Sequence, residues 1–158
     1  MIIILMGVAG SGKTTLGKQL SLALHCPFYD GDDFHSPEGR LKMSRGEALT
    51  DEDRQPWLED LVRNMKKWNV QNPQTILACS ALMQKYRDFL SQGSTVSWVY
   101  LRGDKALIRE RLEKRQGHYA TAQLLDSQFE SLEEPSDGIV LEISNPIERL
   151  VEALIPRF

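Results

Sequence analysis

The sequence predicts an α/β fold, a five-stranded parallel sheet with helices on both faces, and three observations carry that expectation. Short apolar runs alternate with segments of helical spacing along the whole chain. The first run, Ile2 to Met6, breaks into the glycine-rich stretch GVAGSGKTT and then into a helical segment. An acid-rich stretch, DGDDFH from Asp30 to His35, follows the next short strand directly, at the edge where open α/β sheets bind ligands.

At 158 residues the chain reads as one domain, 1–158, long enough to bury about two-thirds of its unfolded surface. A net charge of −3 with both signs interspersed lacks the clustered basic face that nucleic acid would need. Cys26 and Cys79 sit far apart in apolar contexts and read as small core residues, not as a disulfide framework. The first apolar run has no basic leader and stops at Gly7, so it reads as neither signal peptide nor membrane anchor, and a cytoplasmic location is expected.

Taken in order, the first strand ends where a phosphate-binding loop begins. Gly7, Gly10 and Gly12 free the backbone to wrap a phosphate chain and point its N–H groups inward. The whole cradle runs through Gly7, Val8, Ala9, Gly10, Ser11, Gly12, Lys13, Thr14 and Thr15. A helix beginning near Lys13 adds free N–H groups and the positive end of its dipole. Lys13 is placed to reach the β- and γ-phosphates of a nucleotide triphosphate, and the Thr14 hydroxyl to ligate its magnesium ion. Leu16, Leu20, Ala23 and Leu24 give that helix an apolar stripe.

Phe28 and Tyr29 form a short second strand, and the acids after it would repel a phosphate unless a metal or a hydroxyl donor lies between. The stretch from Ser36 to Thr50 is polar and basic, with Arg40, Lys42 and Arg45 facing those acids. Thr50 reads as a cap, but Pro56 predicts a short turn first and a long helix only from about residue 56, with Trp57, Leu58, Leu61, Met65 and Trp68 on its stripe. Arg54 would then project from the turn, where an arginine is ordinarily solvated. Thr75 to Ala81 reads as a buried third strand that ends in Cys79 and Ser80, where motor ATPases and GTPases place a metal-binding aspartate. Ser80 is either a satisfied buried hydroxyl or a substrate contact.

A short helix over 82–90 and a fourth strand over 96–101 follow. In RGDKALIRERLEKRQGH, Arg109 reads as a solvated helix arginine paired with Glu110 and Glu113. For Arg111 and Arg115 a solvated pair and a mobile phosphate clamp remain open, with Gly117 as a hinge in a lid over about 111–128. Another helix stops before Pro135, Ile139 to Ile143 forms the fifth strand, and Asn145 caps a last helix from Pro146. Five strands alternating with helices predict a three-layer P-loop kinase fold with a small lid.

GVAGSGKTT, DGDDFH, KMSRGEALTDEDRQPWL, CSAL with YRDFL, and RLEKRQGH with LLDSQFESLE occur in this order, and in them the chain resembles the gluconate kinases, small P-loop sugar-acid kinases related in fold to shikimate kinase. The resemblance implies ATP and Mg2+ as cofactors, D-gluconate as the small-molecule acceptor, 6-phosphogluconate as product, and a homodimer. It implies that Asp30 joins Thr14 in the magnesium shell and that Asp32 takes the proton of the 6-hydroxyl. Arg54, with His35 and Lys42, would hold the sugar acid; Arg111 and Arg115 would close over the transferring phosphate; His118 and Gln128 would line the substrate side of the lid. Gly39, Met83, Tyr119 and Ala120 depart from that family's usual residues, which bears on the acceptor. Another sugar acid, a shikimate-like acceptor, or a nucleotide-dependent regulator without transfer are the alternatives.

Overall fold

A computed structural model describes residues 1–115 and 119–158. Five parallel strands run β1 Ile2–Met6, β2 Phe28–Asp30, β3 Thr75–Ala78, β4 Val96–Arg102 and β5 Ile139–Glu142, in the order β2-β3-β1-β4-β5. The strand carrying the glycine-rich loop is therefore central, hydrogen-bonded to β3 on one side and β4 on the other. All five of its residues are buried, which is why it reads as a continuous apolar run and not as an alternating one.

Helices α1 Lys13–Leu24, α5 Lys105–Glu113, α6 Tyr119–Ser131 and α7 Ile147–Leu154 pack on one face through Leu16, Leu20, Ile108, Leu112, Leu125 and Leu150. On the other face α3 Asp51–Gln71 and α4 Gln84–Ser91 bury Trp57, Leu61, Met65, Trp68 and Leu90 against Ile2, Ile4 and Met6. Gly17 lets β2 close on α1, since a Cβ there would lie 2.2 Å from the Phe28 ring. Ala23, expected on the buried stripe of α1, is exposed. Among the described residues no helix is long and apolar enough to cross a membrane.

Four expectations need correction. The helix around Pro56 starts at Asp51, because Thr50 and Asp53 form a reciprocal capping box: Thr50 Oγ1 accepts from Asp53 N at 3.1 Å and Asp53 Oδ2 accepts from Thr50 N at 2.9 Å. Pro56 removes only one helical bond, to the carbonyl of Glu52, and both residues are exposed to water. Arg54 thus rides on the first turn of α3 and not on a turn before it. β3 ends at Ala78, not Ala81, because β1 leaves the ladder for the glycine loop; Cys79 N still reaches Leu5 O at 3.0 Å, and Ala81 then turns left-handed at φ 43°. Asn145 does not cap the last helix: its Nδ2 donates to Glu142 O at 3.1 Å, and Pro146 occupies the cap position without a side-chain bond. Arg109 pairs with Asp126 of α6 at 2.8 Å, not with Glu110 or Glu113.

Two elements beside the glycine-rich loop had no counterpart in the expectation. Asp30 caps a short 3-10 turn, Gly31–Phe34, by accepting from Asp32 N at 3.0 Å. Ser36 then caps α2 Pro37–Ser44 by accepting from Gly39 N at 3.0 Å. Both caps are local, but the apolar spacing that would announce a helix is absent from 36–44.

Candidate active site

The loop from β1 into α1 is built by backbone geometry. Gly7, Gly10 and Gly12 have φ values of 147°, 78° and 95°, which side chains rarely tolerate. A Cβ on Gly10 would strike Leu112, whereas one on Gly12 would meet nothing within 4 Å and would project into open space at the start of α1. Val8 and Ser11 are buried beneath the loop, the Ser11 hydroxyl without a hydrogen-bond partner among the described residues, and Thr15 is exposed on the first turn of α1. Lys13 Nζ curls back to donate to the carbonyls of Gly7 and Val8, each at 2.9 Å. Burial lowers its pKa, and the nearby Asp32 carboxylate works against that shift.

Beside the loop, Thr14 Oγ1 donates to Asp30 Oδ2 at 2.7 Å. A hydroxyl and a carboxylate are hard oxygen donors of the kind magnesium prefers. Among the described residues no three His, Cys, Asp or Glu side chains cluster to hold a metal, so an ion here would depend on phosphate oxygens as well.

From this loop opens a cavity of about 510 Å³. Lys13, Asp32, His35, Arg54, Ser80 and Gln128, drawn from five separate stretches of sequence, all line it. Asp32 faces the cavity with an accessible carboxyl, yet the surrounding walls raise its pKa; enclosure is the larger cause and Lys13 opposes it. Its Oδ1 lies 3.7 Å from His35 Nε2. His35 is buried and stacked on Trp57, ring centroids 4.3 Å apart. Burial first, and then the Arg54 and Arg40 charges, push its pKa down to about 4, so the imidazole is neutral near pH 7. Trp57 in turn donates its indole N–H to Gly31 O at 2.7 Å, fixing the turn that carries Asp32.

Arg54 is held from behind: Nη1 donates to the Tyr86 hydroxyl at 3.0 Å, and that hydroxyl donates to Asp51 Oδ1 at 2.5 Å. Gln128 Oε1 accepts from Ala9 N at 2.6 Å, tying α6 to the glycine loop. Cys79 lies behind the site, its thiol pushed up to about 12 by burial and therefore protonated and unreactive.

Three anticipated residues lie elsewhere. Lys42 does not line the cavity; its ammonium donates to Asp53 at 2.9 Å, completing the cap of α3. Arg111 donates to Ile143 O at 2.7 Å, at the end of β5, and does not line the cavity. Arg115, just past α5, is also outside the lining, although its charge reaches Lys13 and lowers the lysine's pKa. His118 and the Gly117 hinge fall outside the described residues. The lining also includes Arg40, whose Nη2 donates to Asp33 O at 2.6 Å, and Tyr86. The sequence does not single out either as a site residue: Arg40 is one of three basic residues facing the acids, and Tyr86 opens the YRDFL stretch with no role assigned to it.

A glycine cradle with its lysine, opening onto a cavity walled by three carboxylates and two guanidiniums, defines a P-loop phosphotransferase acting on a small molecule. The shikimate kinase family model matches residues 9–148. The thermoresistant gluconokinase of Escherichia coli K12 is 40% identical over 159 residues, covering 98% of this chain and 91% of that protein. Among solved structures, a sugar kinase from Janibacter sp. HTCC2649 superimposes with a TM-score of 0.90 at 44% identity, covering 97% of this chain and 91% of that one. A gluconokinase from Sinorhizobium meliloti 1021 superimposes at 0.86 and 34% identity, covering 98% and 89%. The chain belongs to the gluconokinase family, within the shikimate kinase type of ATP-dependent small-molecule kinase.

Proposed function

We propose that this kinase transfers the γ-phosphoryl group of ATP to the 6-hydroxyl of D-gluconate, giving 6-phospho-D-gluconate and ADP. The observation that carries the reading is that Lys13 and Asp32 share one cavity with Arg54 and Arg40. Phosphate lysine, hydroxyl-accepting carboxylate and carboxylate-binding guanidiniums therefore surround one volume suited to a sugar acid.

In this reading the Gly7–Thr15 backbone and Lys13 bind the phosphates, and Thr14 with Asp30 holds the magnesium shell. That ion, when bound, neutralises charge on the β- and γ-phosphate oxygens. Asp32 aligns the acceptor hydroxyl and takes its proton; its raised pKa brings its basicity closer to what a general base needs. Transfer runs through a loose transition state, so aiming matters more than early deprotonation. Arg54, oriented by Tyr86 and Asp51, presents a fork that fits a carboxylate bidentately, and Arg40 replaces Lys42 as the second cation on this wall. Neutral His35 offers one N–H and one lone pair to hydroxyls without adding charge beside Asp32. Ser80 and Gln128 add further polar groups to the lining. Arg115, whose charge reaches Lys13, serves the transferring phosphate.

An acceptor panel tests the proposal: ADP release by purified protein with ATP and magnesium, offered gluconate, other sugar acids, shikimate and an uncharged hexitol. Gluconate is expected to give the highest kcat/KM, with little ADP released when no acceptor is present. Preference for another acceptor, or ADP release that ignores the acceptor, would overturn it.

A further inference from the structure

We propose that Arg87, which does not itself line the cavity, is the positioning residue of the acceptor wall. Arg87 sits on α4 with 3% of its surface exposed. Its Nη1 donates to the carbonyls of Ala81 at 2.9 Å and Leu82 at 3.1 Å, while Nη2 and Nε reach Gln84 Oε1 at 2.7 and 3.3 Å. No carboxylate hydrogen-bonds this guanidinium among the described residues, although Glu133, Asp137 and Asp88 lie within electrostatic reach. A buried cation held by neutral carbonyls contributes little net stability, so its value lies in the backbone conformation it specifies.

That conformation is unusual and occurs at the site. Ser80, Ala81, Leu82 and Met83 are consecutive, without regular structure, and all four line the cavity. Ala81 holds φ at 43°, a left-handed geometry that costs a non-glycine residue free energy and persists only where surrounding contacts enforce it. Arg87 supplies that enforcement by fixing the carbonyls of Ala81 and of the residue after it.

The same segment is tied on two further sides. Ser80 O accepts from Gly7 N at 3.3 Å, joining it to the start of the glycine loop. Leu82 O, already bonded to Arg87, also accepts from Glu133 N at 2.9 Å. Glu133 Oε2 accepts from Gln84 N at 2.5 Å, capping α4 where Met83 offers no side chain for the purpose. Glu133 lies two residues past the end of α6, the helix that brings Gln128 to the cavity. Arg87 and Glu133 therefore share one carbonyl, and through it they lock the acceptor wall to the base of α6.

Loosening this joint frees Ala81 to relax and leaves the acceptor to re-order the wall on binding. Affinity for the acceptor falls, while the nucleotide cradle, whose shape is set mainly by its own glycine dihedrals and the start of α1, changes far less. A lysine cannot substitute, because one ammonium cannot span two carbonyls and a side-chain amide as the planar fork does.

The inference rests on the reading of the cavity as an acceptor site, and the wild-type protein with the acceptor panel checks that reading first. Steady-state kinetics of Arg87→Lys and Glu133→Ala then test the joint, using whichever acceptor the wild-type protein phosphorylates, with thermal melts to establish folding. Glu133 is exposed, so its variant keeps the test open even if the Arg87 variant does not fold. Arg87→Lys is expected to raise the acceptor KM about tenfold and Glu133→Ala about threefold, with kcat and the ATP KM within about twofold of wild type. The double variant is expected to fall short of the product of the two, because both act through the Leu82 carbonyl. An unchanged acceptor KM in the folded variants, or equal rises for ATP and acceptor, would overturn the proposal.

Discussion

The two ends of the cavity are built on opposite principles. The phosphate end is one unbroken stretch from Gly7 to Thr15, shaped by glycine dihedrals and a helix start. The acceptor end is assembled from separate stretches by side-chain bonds: Trp57 to Gly31, Arg54 to Tyr86 to Asp51, and Arg87 to Ala81 and Leu82. A site made of backbone tolerates few substitutions anywhere within it, whereas a site made of side-chain relays can be retuned one link at a time. Damage to the first should abolish transfer to every acceptor, and damage to the second should change which acceptor is used and how tightly it binds.

Lys13→Met tests the first half most severely. It is expected to cut kcat by about 10³-fold or more for every acceptor, read by ADP release, since it removes a fixed charge from the transferring phosphate. Arg54→Met tests the second: gluconate KM is expected to rise about 10- to 100-fold, the worth of a charged hydrogen bond, with the ATP KM little changed. An uncharged hexitol should register far less of that loss. Equal effects of the two substitutions on ATP and acceptor would erase the contrast between the ends.

Smaller effects sharpen it. The unfolded chain's His35 takes up a proton near pH 6.5, whereas the buried ring resists protonation until about pH 4, so the unfolded state binds more protons in between. Stability on this account is fully present above 6.5 and is lost as pH falls from 6.5 through 4. Melting curves over that range should show a shallower acid decline for His35→Gln than for wild type. Smallest is Trp57→Phe, which keeps the ring against His35 but removes the donor to Gly31 O; it is expected to cost about 1–3 kcal/mol, a fall in Tm of a few degrees.

The same contrast explains what the sequence discloses. The phosphate end was legible because its signal is contiguous: GVAGSGKTT between an apolar run and a helical stripe names both chemistry and setting. The five-stranded parallel sheet followed from alternating periodicities, while the strand order came only with the structure. At the acceptor end Asp32, His35 and Arg54 could be singled out, but Lys42 and Arg40, two residues apart, could not be told from each other. On α2 one is drawn to Asp53 and the other reaches the cavity, a choice decided by a partner eleven residues away. Tyr86 and Arg87 are adjacent helix residues whose roles depend on which way each points, and α4 settles that only once it packs on the sheet. Pro56 misled because its local penalty is real but small beside a capping box and the ties of Asp51 and Asp53 to Tyr86 and Lys42.

The measurement that bears most directly on the junction of the two ends is turnover of Asp32→Asn with gluconate beside its affinity for ADP. Loss of kcat by about 100-fold or more, with ADP binding unchanged, is the outcome expected of a residue that aims and deprotonates the acceptor hydroxyl. Wild-type turnover in that variant would contradict the assignment of Asp32 and, with it, the convergence of phosphate and alcohol in this cavity.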